Sequence, residues 1–169
     1  MLSNFQSYEI VPDIIPNIPK GKCKVMYGDV EVKEGNLLTR AQVRAAPIME
    51  WTAEEGKLYT VIMTDPDAPS KSFAFLREVE HWLVVNIPGN NIAQGDTLTE
   101  YVGSGPPPFT GQHRYVFLVF EQKGKIIDED HGKIGAGEMK KRIRTRTMAF
   151  SDKHGLGMPI AGNFFHCKF

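Results

Sequence analysis

Three stretches of the chain are saturated with apolar residues in the way buried β-strands are. Leu58 to Thr64, Glu80 to Ile87 and Arg114 to Gln122 are dense in β-branched and aromatic residues, and each is too short for a typical buried helix. They predict three long central strands. Shorter apolar runs predict further strands at Cys23 to Tyr27, Val30 to Val32, Leu37 to Thr39, Ile48 to Trp51 and Met158 to Phe165, with a hairpin-like turn at Gly35-Asn36. Pro12, Pro16 and Pro19 exclude regular helix from residues 9–20, which read as an extended segment laid over the surface. Residues 90–112 are turn-rich and residues 124–137 form a loop. Thr39 to Ala46 has room for one helical turn before Pro47. The longer helix is expected between Glu138 and His154, with Thr147 as N-cap and Gly155 as left-handed stop. Many short strands and few helices predict a mainly β fold, a two-sheet antiparallel sandwich with short peripheral helices.

Composition narrows this picture. With 169 residues, one domain spanning 1–169 is expected, and a chain of that size buries enough surface to need no staples. Lysine plus arginine and aspartate plus glutamate are 20 each, which argues against nucleic acid as a partner. Two cysteines, Cys23 and Cys167, make no disulfide framework and no zinc spacing, and read as free thiols. Met1 to Ile15 lacks the basic start and apolar core of a signal peptide, and no run approaches the length of a membrane helix. The expectation is a soluble, cytoplasmic protein.

The candidate chemistry sits at the strand ends. Asp65-Pro66-Asp67-Ala68-Pro69 is a turn whose prolines hold a carboxylate in one orientation. Asp67 reads as a turn cap bonding nearby amides, and Asp65, at the strand end, as functional. His81 lies within an apolar strand, where histidines are more often packed core residues. A carboxylate beside it would favour its charged form, so Asp65 and His81 together could present an N–H donor to a phosphate or carboxylate. Alternatively Asp65 holds the histidine, takes an ammonium group, or donates when protonated. His113 and Tyr115 share one face of their strand while Arg114 points away. Gly103 to Pro108 could cross the pocket mouth, its glycines letting amides approach an anion and its prolines stiffening the wall. A hydrolase built on Ser104, His113 and Asp65 lacks the G-x-S-x-G elbow. His81, His113 and His166 have no metal-ligand spacing. Lys140-Lys141-Arg142-Ile143-Arg144-Thr145-Arg146 is a basic run, by default a solvated face and more sharply a weak contact for acidic headgroups or a phosphorylated partner.

Taken as a set, these stretches resemble the phosphatidylethanolamine-binding protein family, which includes the Raf kinase inhibitor proteins and the plant flowering regulators. The resemblance lies in Tyr59 to Ser70, Arg77 to Gly89, Tyr101 to Pro107 and Gly111 to Gln122, and extends from Val11-Pro12-Asp13 to Leu156 through Gly162. It implies a two-sheet antiparallel fold with a small anion pocket formed by Asp65, His81, His113 and Tyr115. Gly105 would supply a backbone amide, and Pro106, Pro107, Pro69 and Val79 would form walls. Cis peptides are implied at Ala68–Pro69 and Arg77–Glu78. Val79 stands where the family usually has an aromatic residue or histidine, Pro108-Phe109 makes the loop stiffer, and the sequence stops at Phe169, before the C-terminal helix that helps cover the pocket in animal members, so that the lid is either missing or cut off. The resemblance implies a non-catalytic protein without cofactor or metal. Its ligand would be a phosphate-containing small molecule or phospholipid headgroup, and it would regulate signalling by inhibiting a protein kinase or binding a phosphoprotein. A serine protease inhibitor acting through a protruding loop is the alternative.

Overall fold

The computed structural model describes residues 2–169. In chain order the elements are α1 (Asn4–Ser7), α2 (Ile10–Asp13), β1 (Gly21–Lys22), β2 (Lys24–Tyr27), β3 (Val30–Glu31), β4 (Ile48–Glu50), β5 (Leu58–Asp65), β6 (Val79–Pro88), β7 (Asp96–Thr99), β8 (His113–Glu121), α3 (Thr147–His154) and β9 (Ala161–Cys167), with two short 3₁₀ turns at Ile92–Gln94 and Met139–Lys141. Six strands form the larger sheet in the order β1-β9-β8-β5-β6-β7, and β3-β2-β4 form the smaller. Every pairing is antiparallel except β1 with β9. The three long strands expected from the apolar pattern are β5, β6 and β8, side by side at the centre.

Period-two alternation gives each central strand two buried faces. Val61, Met63, Trp82, Val84, Phe117 and Val119 point toward the small sheet and meet Val25, Tyr27 and Met49 there. Ile62, Leu83, Val85, Val116, Leu118 and Phe120 point the other way, into a second core closed by the N-terminal segment and α3. The N-terminal segment therefore does more than lie on the surface. Leu2, Phe5, Ile10, Ile14 and Ile15 are all buried, each worth roughly 1.5–3 kcal/mol of apolar burial. A Cβ on Gly162 would lie 2.8 Å from the Phe5 ring and 3.2 Å from the Phe117 carbonyl, so glycine in β9 is what lets Phe5 reach the sheet.

Several local expectations are corrected. Residues 9–20 contain α2, though it is a single kinked turn with a non-helical Val11 before a cis Val11–Pro12 bond. The hairpin turn falls between β2 and β3 at Gly28-Asp29, and Gly35 instead donates its amide to Phe164. β7 lies inside the stretch read as turns. Arg146 holds the N-cap position of α3 with no side-chain cap. Thr147 is occupied elsewhere, donating its hydroxyl to the buried Glu78 carboxylate at 2.7 Å. Gly155 ends α3 at φ 61°, as expected. The Ala68–Pro69 and Arg77–Glu78 bonds are both cis.

Candidate functional site

In an antiparallel sheet the C-terminal end of β5 meets the N-terminal ends of β6 and β8. That register places Asp65 opposite Val79, two residues before His81, and beside the start of β8 at His113 and Tyr115. The four side chains meet there. His113 Nδ1 is 2.9 Å from Asp65 Oδ2. The ring centres of His81 and Tyr115 lie 5.2 Å apart, and His113 stacks on Tyr115 at 6.3 Å. Asp65, His81, His113 and Tyr115 are all buried.

The partnership within this group differs from the expected one. Asp65 holds His113, and His81 Nδ1 instead lies 2.7 Å from the Val102 carbonyl. A carbonyl only accepts, so His81 Nδ1 carries the proton. Burial drives the His81 pKa down, and although the Asp65 charge and the Val102 bond oppose that shift, burial wins. His81 is therefore neutral near pH 7 and turns a bare Nε2 lone pair outward, with no partner among the described residues. Burial therefore works against the cation-like donor expected at His81 in the free protein.

His113 is constrained differently. Thr110 donates its single hydroxyl proton to the Pro107 carbonyl at 2.7 Å, so its oxygen accepts from His113 Nε2 at 2.9 Å. With Nδ1 facing the Asp65 carboxylate, both ring nitrogens are engaged inside the cluster. Asp65 is thus occupied by His113, and an incoming anion does not face a bare carboxylate. Burial and the Asp65 charge both push the Tyr115 phenol far above its ordinary pKa, which keeps it a neutral O–H donor.

The loop after β7 closes this group. Ser104 adjoins the Tyr115 phenol, yet its Oγ is buried with no hydrogen-bond partner. His113 Nε2 points to Thr110, so the Ser104 hydrolase arrangement does not form. Gly105 is exposed and lines a cavity beside the cluster. Pro106 is buried, whereas Pro107 and Pro108 are exposed and the Phe109 side chain stands wholly in solvent, so only Pro106 serves as an inner wall. Pro69 is half-buried, and Val79 is buried in register with Asp65.

On the opposite sheet face, Arg114 points away from the site as its position in the strand requires. Asp67 accepts from Arg114 N, Nε and NH2 at 2.7–2.9 Å, and Asp13 and the Tyr8 carbonyl take the remaining donors. Asp67 is thus an anchor for a buried guanidinium and not merely a turn cap. Burial alone would raise its carboxyl, but the bonds and charge of Arg114 outweigh burial and the net shift is downward. Arg142, within the basic run, is buried and bonds the carbonyls of Glu80, His81 and Gly135, so only Lys140, Lys141, Arg144 and Arg146 face outward. Val102, Thr110 and the unpartnered Ser104 hydroxyl are the contributors that sequence reading missed. No run of residues announces a backbone carbonyl or a hydroxyl that matters only through its neighbours.

The chain belongs to the phosphatidylethanolamine-binding protein family, whose model matches residues 29–165. It is 40% identical over 173 aligned positions to the 26 kDa secreted antigen of Toxocara canis, covering 97% of this chain and 63% of that protein. It is 34% identical to a Drosophila melanogaster protein provisionally called odorant-binding protein A5, covering 95% of this chain and 76% of the relative. Among solved structures, it matches the carboxypeptidase Y inhibitor, crystallised with its cognate proteinase, at a TM-score of 0.82 and 26% identity, covering 99% and 94% of the two chains. The phosphatidylethanolamine-binding protein of Plasmodium vivax shares the fold at a TM-score of 0.76 and 19% identity, covering 99% and 97%.

Proposed function

We propose that the chain is a non-catalytic binding protein that takes a phosphate-type group at the Asp65, His81, His113 and Tyr115 cluster. One observation carries the reading: His81 Nε2, bare and unpartnered, faces outward beside a neutral phenol donor in a cluster whose single carboxylate is already occupied by His113. A singly protonated phosphate ester supplies a P–OH for Nε2 and accepting oxygens for Tyr115 and the Gly105 amide. Equivalently, the imidazole takes up a proton as a fully ionised anion binds. A few charge-assisted bonds of ~1.5–3 kcal/mol each, less association costs, support roughly millimolar to micromolar affinity for a bare headgroup. The physiological ligand is then a phospholipid headgroup or a phosphorylated side chain on a signalling partner such as a kinase. The direct test is titration of ¹⁵N-labelled protein with inorganic phosphate. Shifts at His81 and Tyr115 that vanish in Asp65→Ala support the assignment, and an unresponsive wild type refutes it. A pull-down with wild type and His81→Ala then separates phosphorylated partners from bystanders.

A second reading, protease inhibition, is favoured by the likeness to the carboxypeptidase Y inhibitor and by Phe109, wholly exposed on a loop stiffened by three prolines. Assay against carboxypeptidases and serine proteases, with Phe109→Ala as control, decides it. The predicted inhibition depends on Phe109 and is indifferent to Asp65.

A further inference from the structure

A cavity of about 750 Å³ opens at the Ser104 loop, beside the imidazole cluster, within the range of small-molecule sites. Its lining includes Arg40, Arg44 and Lys168 and no acidic residue. None of these three cations enters a salt bridge among the described residues, on a chain whose formal charge is zero. The cavity is built and held. Thr39 and Gln42 exchange side-chain-to-backbone bonds of 2.9 and 3.2 Å, which fix the turn carrying Arg40. The Tyr101 hydroxyl, itself 2.7 Å from that of Tyr27, ties the Val43 carbonyl to the loop at 2.7 Å. A Cβ on Gly103 would lie 2.7 Å from that carbonyl and 3.2 Å from Arg44 Cα, so only glycine lets the two segments close together.

Two observations point to a ligand. Ser104, 6% exposed, lines the cavity, and its hydroxyl, next to the Tyr115 phenol, makes no hydrogen bond of good geometry within the protein. Buried hydroxyls without partners are rare in folded proteins, and one on a cavity wall beside unpaired guanidinium groups is suited to an oxyanion. The remaining wall is apolar, formed by Leu37 and Phe169, with the Arg40 guanidinium 4.4 Å from the Phe169 ring centre. That stacking holds the guanidinium plane while leaving its N–H edges free.

We propose that this cavity is a second binding site, adjoining the imidazole cluster, for a small amphiphilic anion. Its oxyanion head sits between Arg40, Arg44 and the Ser104 hydroxyl, and its apolar body covers Leu37 and Phe169. The site stands whether or not phosphate binds at His81.

The test titrates ¹⁵N-labelled full chain with hexyl phosphate, inorganic phosphate and hexanol. Hexyl phosphate is expected to shift the amides of Arg40, Ala41 and Gly103, at least tenfold more tightly than hexanol or inorganic phosphate does. The exposed Arg40→Ala/Arg44→Ala pair should weaken this at least tenfold while keeping any phosphate-induced shifts at His81 and Tyr115. Ser104→Ala should weaken it several-fold. Undiminished binding by the double variant, equal binding of hexanol, or hexyl phosphate shifts confined to His81 and Tyr115 would each overturn the second site. Wild type in which inorganic phosphate leaves His81 unmoved defeats the phosphate-cluster reading alone.

Discussion

The two faces of the sheet end carry the same residue types and use them in opposite ways. On the outer face, Arg114 spends its donors on Asp67, Asp13 and Tyr8, and Glu80 accepts from Thr99 and His131. On the inner face, His81, one strand position from Glu80, keeps a bare nitrogen, and Ser104 in the neighbouring loop an unpartnered hydroxyl. Both faces bury polar groups at a desolvation cost. Only the outer one recovers that cost within the protein. Between these two faces the difference lies in unspent hydrogen-bonding capacity, more than in burial or charge.

The comparison breaks most visibly if the outer face is damaged. Asp67→Ala leaves the Arg114 guanidinium buried without its main counter-charge and should cost ~3–5 kcal/mol, read from the midpoint of chemical denaturation. A cost below about 1 kcal/mol would mean that the outer network is ornamental. Asp65→Ala, on the inner face, should cost less stability, roughly 1–3 kcal/mol for the orphaned His113 donor, while abolishing phosphate shifts. The reverse ranking would dissolve the distinction between the faces.

The pH dependence of anion binding sharpens the inner half. In the free protein His81 titrates below its ordinary value because burial disfavours the imidazolium. An anion on Nε2 raises that pKa, so binding takes up a proton and affinity weakens as pH rises. Sulfate, whose own protons are gone in this range, isolates the imidazole. Its dissociation constant should rise by up to ~10-fold per pH unit above the free His81 pKa. A flat profile between pH 5 and 8 would show that Nε2 takes no part.

Much of this site was legible in the sequence, for identifiable reasons. Strand alternation placed His113 and Tyr115 together and turned Arg114 away, and the three apolar runs were long enough to be central strands whose ends must adjoin. Which imidazole Asp65 would hold was not legible. That choice depends on the path of the 101–112 loop, which brings the Val102 carbonyl to His81 and Thr110 to His113, and a loop path follows from tertiary contacts more than from local pattern. The N-terminal segment was misread because its prolines speak to helix and not to burial. Leu2, Phe5, Ile10, Ile14 and Ile15 have no short period to reveal that they cap a sheet. Arg40 and Arg44 belong to no motif in the sequence, and only the fold sets them beside Ser104.

The smallest effect concerns the outer face again, at His131. Its hydrogen bond to Glu80 is the main influence on its pKa and raises it, although partial burial acts against the shift, and Asp128 adds to the rise. A histidine whose folded pKa lies above its unfolded value contributes stability that is fully present below the unfolded value, near 6.5, and is lost as pH climbs through the folded one. The ring is half-buried, so solvent screening holds the contribution to no more than about 1 kcal/mol. Stability of wild type minus that of His131→Gln, measured by denaturation from pH 5 to 9, should therefore decline toward the alkaline end. A difference that grows with pH would mean that His131 is neutral in the folded protein, accepting rather than donating. Glu80 would then face a bare imidazole nitrogen in place of a donor.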